Sequence, residues 1–294
     1  MNSAHHCLAA TDLSGGGNLA IARAMQLSAQ LDMPLDLLHV LPQDLLQRLQ
    51  NWLSGARPEV LERLLQQSHE ELAALAEHFA SADSRAPGIL VREGDPASVI
   101  AAEADARASE LLVVGAHGAG HLHETMVGST PLRLLGLLEC ALLIVRQACA
   151  APYKRVLVAV DFSPRSLPLL QLAARIAPQG ERILLHALDL PYAGRLQMAG
   201  ISDSELQHYR KLSEEQALEQ CHRLTEGSNA GLAHRCEVRF GEASLCIQEY
   251  AREQACDLIL LAQHPRSRVG ELLLGSTTRH VLHQSSQDLL ILRQ

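Results

Sequence analysis

The chain has no Cys-x-x-Cys pair, no block of basic residues and no apolar run approaching the ~18 residues of a membrane span. Each absence excludes a class. The seven cysteines (Cys7, Cys140, Cys149, Cys221, Cys236, Cys246 and Cys256) are dispersed and odd in number. They read as reduced thiols and not as a disulfide framework. Lys and Arg are scattered under a net charge of −8, so no nucleic-acid footprint is expected. The N-terminal residues Met1 to Ala4, then His5 and His6, lack a charged and an apolar segment of the secretory kind. The expectation is a cytoplasmic protein with no membrane span. A nucleophile elbow, a base poised by a third group and a Walker lysine after Gly15-Gly16-Gly17 are also missing. That glycine run reads as a flexible turn, and fast catalysis is not expected.

What is present is a regular alternation. Apolar runs at His6–Thr11, Pro34–Val40, Ile89–Val91, Leu111–Val114 and Ala141–Val145 read as strands. Between them lie helical patterns from Leu19, from Pro58 to Phe79, after Pro96 and from Pro131 to Leu138. Asp95 is the expected N-cap of the third helix, with Pro96 at its first position. Continuous apolar strands alternating with helices predict an α/β fold with a parallel sheet covered on both faces. Ligands of such sheets bind beyond the carboxyl ends of the strands. Asp12, Val40 and Gly115 stand at those ends and should converge. Gly115-Ala116-His117-Gly118, nine residues, then Gly128-Ser129-Thr130 follows the fourth strand and opens a helix. Glycines before a helix start are the parts of a phosphate cradle.

The pattern then repeats. Val156–Val160 with Asp161 and Ser163 matches Cys7–Thr11 with Asp12 and Ser14 at an offset of 149. From Leu37–His39 against Leu184–His186 onward the offset is 147, through Gly128-Ser129-Thr130 against Gly275-Ser276-Thr277 to the last strands. A constant offset over the body of both halves marks a duplicated domain, with boundaries at residues 1–147 and 153–294 and a short linker near Ala148–Lys154. The copies differ in the glycine frame: Gly115 becomes Ala262 and Gly118 becomes Pro265. Proline has no N–H to donate.

The strand-end Asp12 and Asp161 with Ser14 and Ser163, the Gly94-Asp95-Pro96 turn and the glycine loop together resemble the universal stress protein family in its tandem form. The resemblance implies two five-stranded adenine nucleotide α-hydrolase-like domains. It also implies that Ala141–Val145 and Asp288–Leu292 pair antiparallel in an internal pseudo-dimer. It implies stress survival as the role, at most slow ATP hydrolysis, and ATP as ligand, with Mg²⁺ left open as its companion. By resemblance Asp12 lies by the nucleoside and Val40 offers backbone to the adenine. Gly115, His117 and Gly118 line the ribose and phosphates, and Gly128, Ser129 and Thr130 hold phosphate oxygens. Binding is expected in the first half only. A homodimer stays open.

Other groups stand beside these. His117, His121, His123 and Glu124 are metal-ligand types without a recognised spacing, so a metal role stays unassigned. His39 and His186 read as satisfied core or rim groups. The connections carrying Leu45, Leu46, Leu49, Trp52 and Leu53, and Tyr192, Leu196, Met198 and Ile201, read either as lids or as packing on the sheet. Two rival functions stand beside ATP binding: a sensor of an apolar or phosphorylated ligand through the second half, and an interaction protein with vestigial sites.

Overall fold

The structure is a computed structural model that describes residues 6–45, 47, 58–80, 85–118, 127–149, 151–189, 202–226, 234–263 and 275–293. The chain divides into two compact units. The first repeat supplies β1 (His6–Thr11), α1 (Gly15–Leu31), β2 (Leu35–Pro42), α2 (Pro58–His78), β3 (Gly88–Gly94), α3 (Pro96–Ala106), β4 (Ser109–Gly115), α4 (Ser129–Leu137) and β5 (Ala141–Val145). The second supplies β6 (Arg155–Ala159), α5 (Ser166–Ile176), β7 (Glu181–Leu188), α6 (Asp203–Glu226), β8 (His234–Phe240), α7 (Ala243–Glu253), β9 (Leu258–Gln263), α8 (Ser276–Gln284) and β10 (Asp288–Arg293). Each repeat therefore gives five strands in an α/β order.

In the first unit the strands run β3-β2-β1-β4-β5-β10. All neighbours are parallel except the last pair, where Leu289, Leu290 and Ile291 of β10 face Ile144, Leu143 and Leu142 of β5 antiparallel. This is the pairing that the resemblance implied. It also makes the compact units differ from the repeats, because β10 counts with the first unit. The second unit orders its strands β9-β6-β7-β8, all parallel.

The apolar runs form strands because both faces are covered. Leu8, Ala9, Leu37, Leu38, Leu112, Val113, Leu143 and Ile144 are wholly or almost wholly buried. Helix α1 lays Ala20, Ile21, Ala24 and Leu27 on this sheet, and α5 repeats the pattern with Leu169, Leu170 and Ala173 at the same offset of 149 that relates Asp12 to Asp161. Asp95 caps α3 as expected, accepting from Ser98 N at 3.0 Å. The duplication reaches the backbone conformation: Leu13 and Phe162, Ala108 and Ala255, and Gly94 and Gly241 hold paired positive φ angles.

One buried charge cluster secures β10. Asp288 is 0% exposed and accepts Arg146 N at 2.7 Å and Gln147 N at 3.0 Å through Oδ1. Its Oδ2 lies 3.6 Å from Nε of the buried Arg23 on α1, and Arg23 also donates to Ala151 O at 2.9 Å. No helix among the described residues is long and apolar enough to cross a membrane.

Candidate functional site: a glycine-walled crevice beyond β1 and β4

Strand β1 lies between β2 and β4, so the chain leaves it toward opposite sides at a topological switch point. The register sets Thr11 beside His39 and Ala10 beside Val114. Asp12, Val40 and Gly115 thus come to one rim of the sheet. Val40 is buried and β2 continues past it to Pro42, so the second strand does not end at Val40 as the apolar run suggested. The pairing of Val40 with Arg92 of β3 continues the ladder there.

A tight turn joins β1 to α1. Leu13 takes φ 63°, an uncommon conformation for a branched side chain, and its N–H donates to Thr11 Oγ1 at 2.9 Å. Asp12 Oδ1 accepts from Ser14 N at 3.1 Å and from Ser14 Oγ at 2.5 Å. Ser14 Oγ in turn accepts Gly17 N at 3.2 Å as the helix N-cap. The exposed Asp12 carboxylate is therefore oriented by the helix it precedes.

The glycines of the rim are there for space. A Cβ on Gly115 would stand 2.5 Å from Gly16 O and 2.8 Å from Gly16 C, and one on Gly118 would stand 2.5 Å from Asp12 Oδ2. A Cβ on Gly16 would strike His117 O, and one on Gly17 would strike Thr11 Oγ1 and come within 2.9 Å of Asp12 Oδ1. Gly115 and Gly118 both lie outside the left-handed region, so close approach, not positive φ, is what requires glycine here. The run Gly15-Gly16-Gly17 is likewise no flexible turn: it is the first turn of α1, four residues earlier than the apolar periodicity from Leu19 indicates. The first turn of α1 therefore packs directly on the chain around Gly115 and His117, with the Asp12 carboxylate beside Gly17 and Gly118.

Beyond β4, Ala116 N donates to Val145 O at 2.9 Å and Ala116 O accepts Gly128 N at 2.8 Å. These two bonds pin the loop's end so that α4 starts at the rim. The Gly128 N–H is taken by Ala116. Ser129, exposed, and Thr130, half-buried, follow it in the first turn, where N–H groups point outward with positive partial charge. One turn further, Arg133 holds both oxygens of Asp95 at 2.7 Å, which keeps the Asp95 carboxyl well below the usual carboxylate range, with Ser98 adding to the effect.

The second unit builds the same rim differently. Arg165 and Ser166 stand where the first repeat has Gly16 and Gly17. Helix α5 begins at Ser166, five residues after Asp161, whereas α1 begins three residues after Asp12. Asp161 Oδ1 accepts Ser163 N at 2.9 Å and Ser166 Oγ at 3.2 Å. The Arg165 guanidinium reaches from the start of α5 to the end of β9 and donates to Gln263 O at 2.9 Å. A side chain thus occupies the line where the first unit leaves bare backbone. Phe162 packs on His186 with ring centroids 4.3 Å apart.

His39 and His186 are satisfied, as expected: their Nδ1–H groups donate to Thr11 O at 2.9 Å and to Val160 O at 2.8 Å. His117 is half-buried beside Gly118. His121, His123 and Glu124 lie outside the described residues, as do Leu46, Leu49, Trp52, Leu53, Tyr192, Leu196, Met198, Ile201 and Pro265. Leu45 is 44% exposed. Among the described residues no cluster of His, Cys, Asp and Glu could hold a metal ion. Sequence reasoning missed Gly16, Gly17 and Arg165. Aligning the two repeats across Gly16 and Arg165 was the signal that could have found them.

The model of the universal stress protein family matches residues 4–146 and again 152–293. Universal stress protein A homolog 2 of Coxiella burnetii is 30% identical over 146 residues, covering 48% of this chain and 95% of that protein. Universal stress protein MJ0577 of Methanocaldococcus jannaschii is 26% identical over 155 residues, covering 48% of this chain and 96% of that one. The crystal structure of a universal stress protein from Archaeoglobus fulgidus covers 100% of this chain and 99% of its own, with a TM-score of 0.64 at 18% identity, a likeness of fold. Two matches in succession over nearly the whole length leave one conclusion: the chain belongs to the universal stress protein family and carries two of its domains in tandem.

Proposed function

We propose that this stress-response protein binds ATP in the crevice of its first unit and acts in the cytoplasm through ligand-dependent interactions, not fast catalysis. The observation that carries the reading is the convergence of Asp12, Val40 and Gly115 on one rim of the sheet at the β1 switch point, with α4 starting beside them. Ligands of such sheets bind beyond that rim, and a helix N-terminus there suits phosphate. In this reading Val40 offers backbone to the adenine, Asp12 meets the nucleoside, and Gly115, His117 and Gly118 line the ribose and phosphates. Gly128 sets the start of α4, and the first turn at Ser129 and Thr130 supplies donors to phosphate oxygens. A Mg²⁺ ion accompanying the phosphates would find its anionic oxygen donor among these residues in the Asp12 carboxylate and would neutralise phosphate charge. No residue of the set has the geometry of an activated nucleophile or a poised base, so hydrolysis is at most slow.

A second reading rests on Arg165. Its guanidinium at the end of β9, where it donates to Gln263 O, favours a phosphorylated or carboxylate metabolite there. It requires no nucleotide. Thermal unfolding with ATP, ADP, AMP and a panel of sugar phosphates separates the readings. ATP at 100 times its Kd is expected to stabilise the chain by about 2.7 kcal/mol. A chain that shifts with sugar phosphates and not with any adenine nucleotide contradicts the ATP reading.

A further inference from the structure

The second unit contains a chemical feature unrelated to its crevice. Cys221 lies with Leu206 and Ala217 on the buried face of α6, Cys236 lies on β8, the strand that this helix packs on, and the two thiols interact. Cys221 is 0% exposed, while Cys236 is half-buried on the strand that ends the second unit's order. In the parallel register Cys236 pairs with Leu184, as Ile89 pairs with Leu37 in the first unit. A thiol therefore stands where the other copy has a hydrocarbon. Helix α6 packs directly on β8 and β7, which holds the two sulfurs together.

We propose that Cys236 and Cys221 form an oxidant-sensing pair in which Cys236 reacts with a hydroperoxide and Cys221 closes a disulfide between α6 and β8. The Cys236 thiolate attacks one oxygen of hydrogen peroxide; the O–O bond breaks and hydroxide leaves, taking up a proton to become water. Cys236 is now a sulfenic acid. Cys221, as thiolate, attacks that sulfur and expels the remaining oxygen as a second water after protonation. Two thiols and one peroxide give one disulfide and two waters, and a dithiol reductant reverses the change.

The division of roles follows from position. Peroxide reaches the half-buried Cys236 and not the enclosed Cys221. The contact between the two thiols favours one thiolate shared by the pair, and Cys236 is the member open to an oxidant. The remaining thiols lack this arrangement. Burial holds Cys7, Cys140, Cys149, Cys246 and Cys256 above the ordinary range, Cys140 to about 11 and Cys256 to about 12. They stay protonated and slow to react.

The test treats the full-length chain with hydrogen peroxide, alkylates the remaining thiols and maps peptides by mass spectrometry. The expected result is a Cys221–Cys236 crosslink that forms before any other cysteine is modified and disappears with dithiothreitol. In Cys221→Ala, Cys236 stops at sulfenic acid and is captured by dimedone. In Cys236→Ser, oxidation of Cys221 slows by at least about tenfold. Earlier modification of another cysteine, absence of the crosslink in the unmutated chain, or undiminished oxidation of Cys221 in Cys236→Ser overturns the proposal. The crosslink map needs no variant, so a misfolded substitution leaves the test intact.

Discussion

Gly118→Val is expected to weaken ATP binding by about 100-fold, about 2.7 kcal/mol, with little change in the melting temperature of the ligand-free chain. The two effects separate because of what the new Cβ meets. At Gly118 the obstacle is Asp12 Oδ2, 2.5 Å away, the end of an exposed side chain that can move outward. It can do so only by disturbing its bonds to Ser14 and by placing two methyl groups in the crevice. The ligand-free fold tolerates this and the ligand does not. Gly115→Ala is the contrast. Its Cβ would stand 2.5 Å and 2.8 Å from backbone atoms of Gly16, and backbone at the start of α1 cannot step aside alone. That substitution costs about 1–3 kcal/mol of stability before any ligand is added. Isothermal calorimetry and thermal unfolding of both variants check the pair. Unchanged ATP affinity in Gly118→Val would remove the crevice from the binding site.

Asp288→Ala is expected to destabilise the chain by about 3–5 kcal/mol, the range for removing one partner of a buried ion pair. The loss is large for a reason visible in the contacts. The carboxylate is wholly enclosed, compensates Arg23 and accepts two backbone N–H groups at Arg146 and Gln147. Removing it leaves a buried cation less compensated and two donors without their acceptor. Asp288→Asn keeps an acceptor oxygen for the N–H groups and gives up the charge, so it should fall between. Urea unfolding followed by circular dichroism measures both. A loss below about 1 kcal/mol for the alanine variant, the scale of an exposed ion pair, would mean that the cluster does not secure β10.

The sequence made some of this legible and hid the rest, for physical reasons. Buried parallel strands must be apolar on both faces, so His6–Thr11, Leu111–Val114 and Ala141–Val145 announced themselves. Local capping chemistry did the same for Asp95 and Pro96. The repeat offset exposed the asymmetry between Gly118 and Pro265. The glycines at Gly15–Gly17 misled, because a glycine run has the composition of a mobile loop. At Gly16 the requirement comes from His117, 101 residues away, and at Gly17 from the folded turn at Thr11 and Asp12. Arg165 and the Asp288–Arg23 pair were invisible for a similar reason: each interaction links positions far apart in the chain, and neither residue stands in a recognisable local pattern. The antiparallel partner of β5 came from family resemblance alone, since periodicity says nothing about which strand edge meets which.

In the proposed reading the two repeats have different tasks. The first keeps Gly16, Gly17, Gly115 and Gly118 where its backbone segments meet. The second has Arg165, Ser166, Ala262 and Pro265 at those positions, with the arginine donating to Gln263 O and its helix beginning later. Calorimetric titration of the full-length chain with ATP tests this directly. One nucleotide per chain is expected, with affinity unchanged by Arg165→Ala and weakened about 100-fold by Gly118→Val. Two equivalent nucleotides per chain, or a single site that survives Gly118→Val and is lost in Arg165→Ala, would contradict this reading.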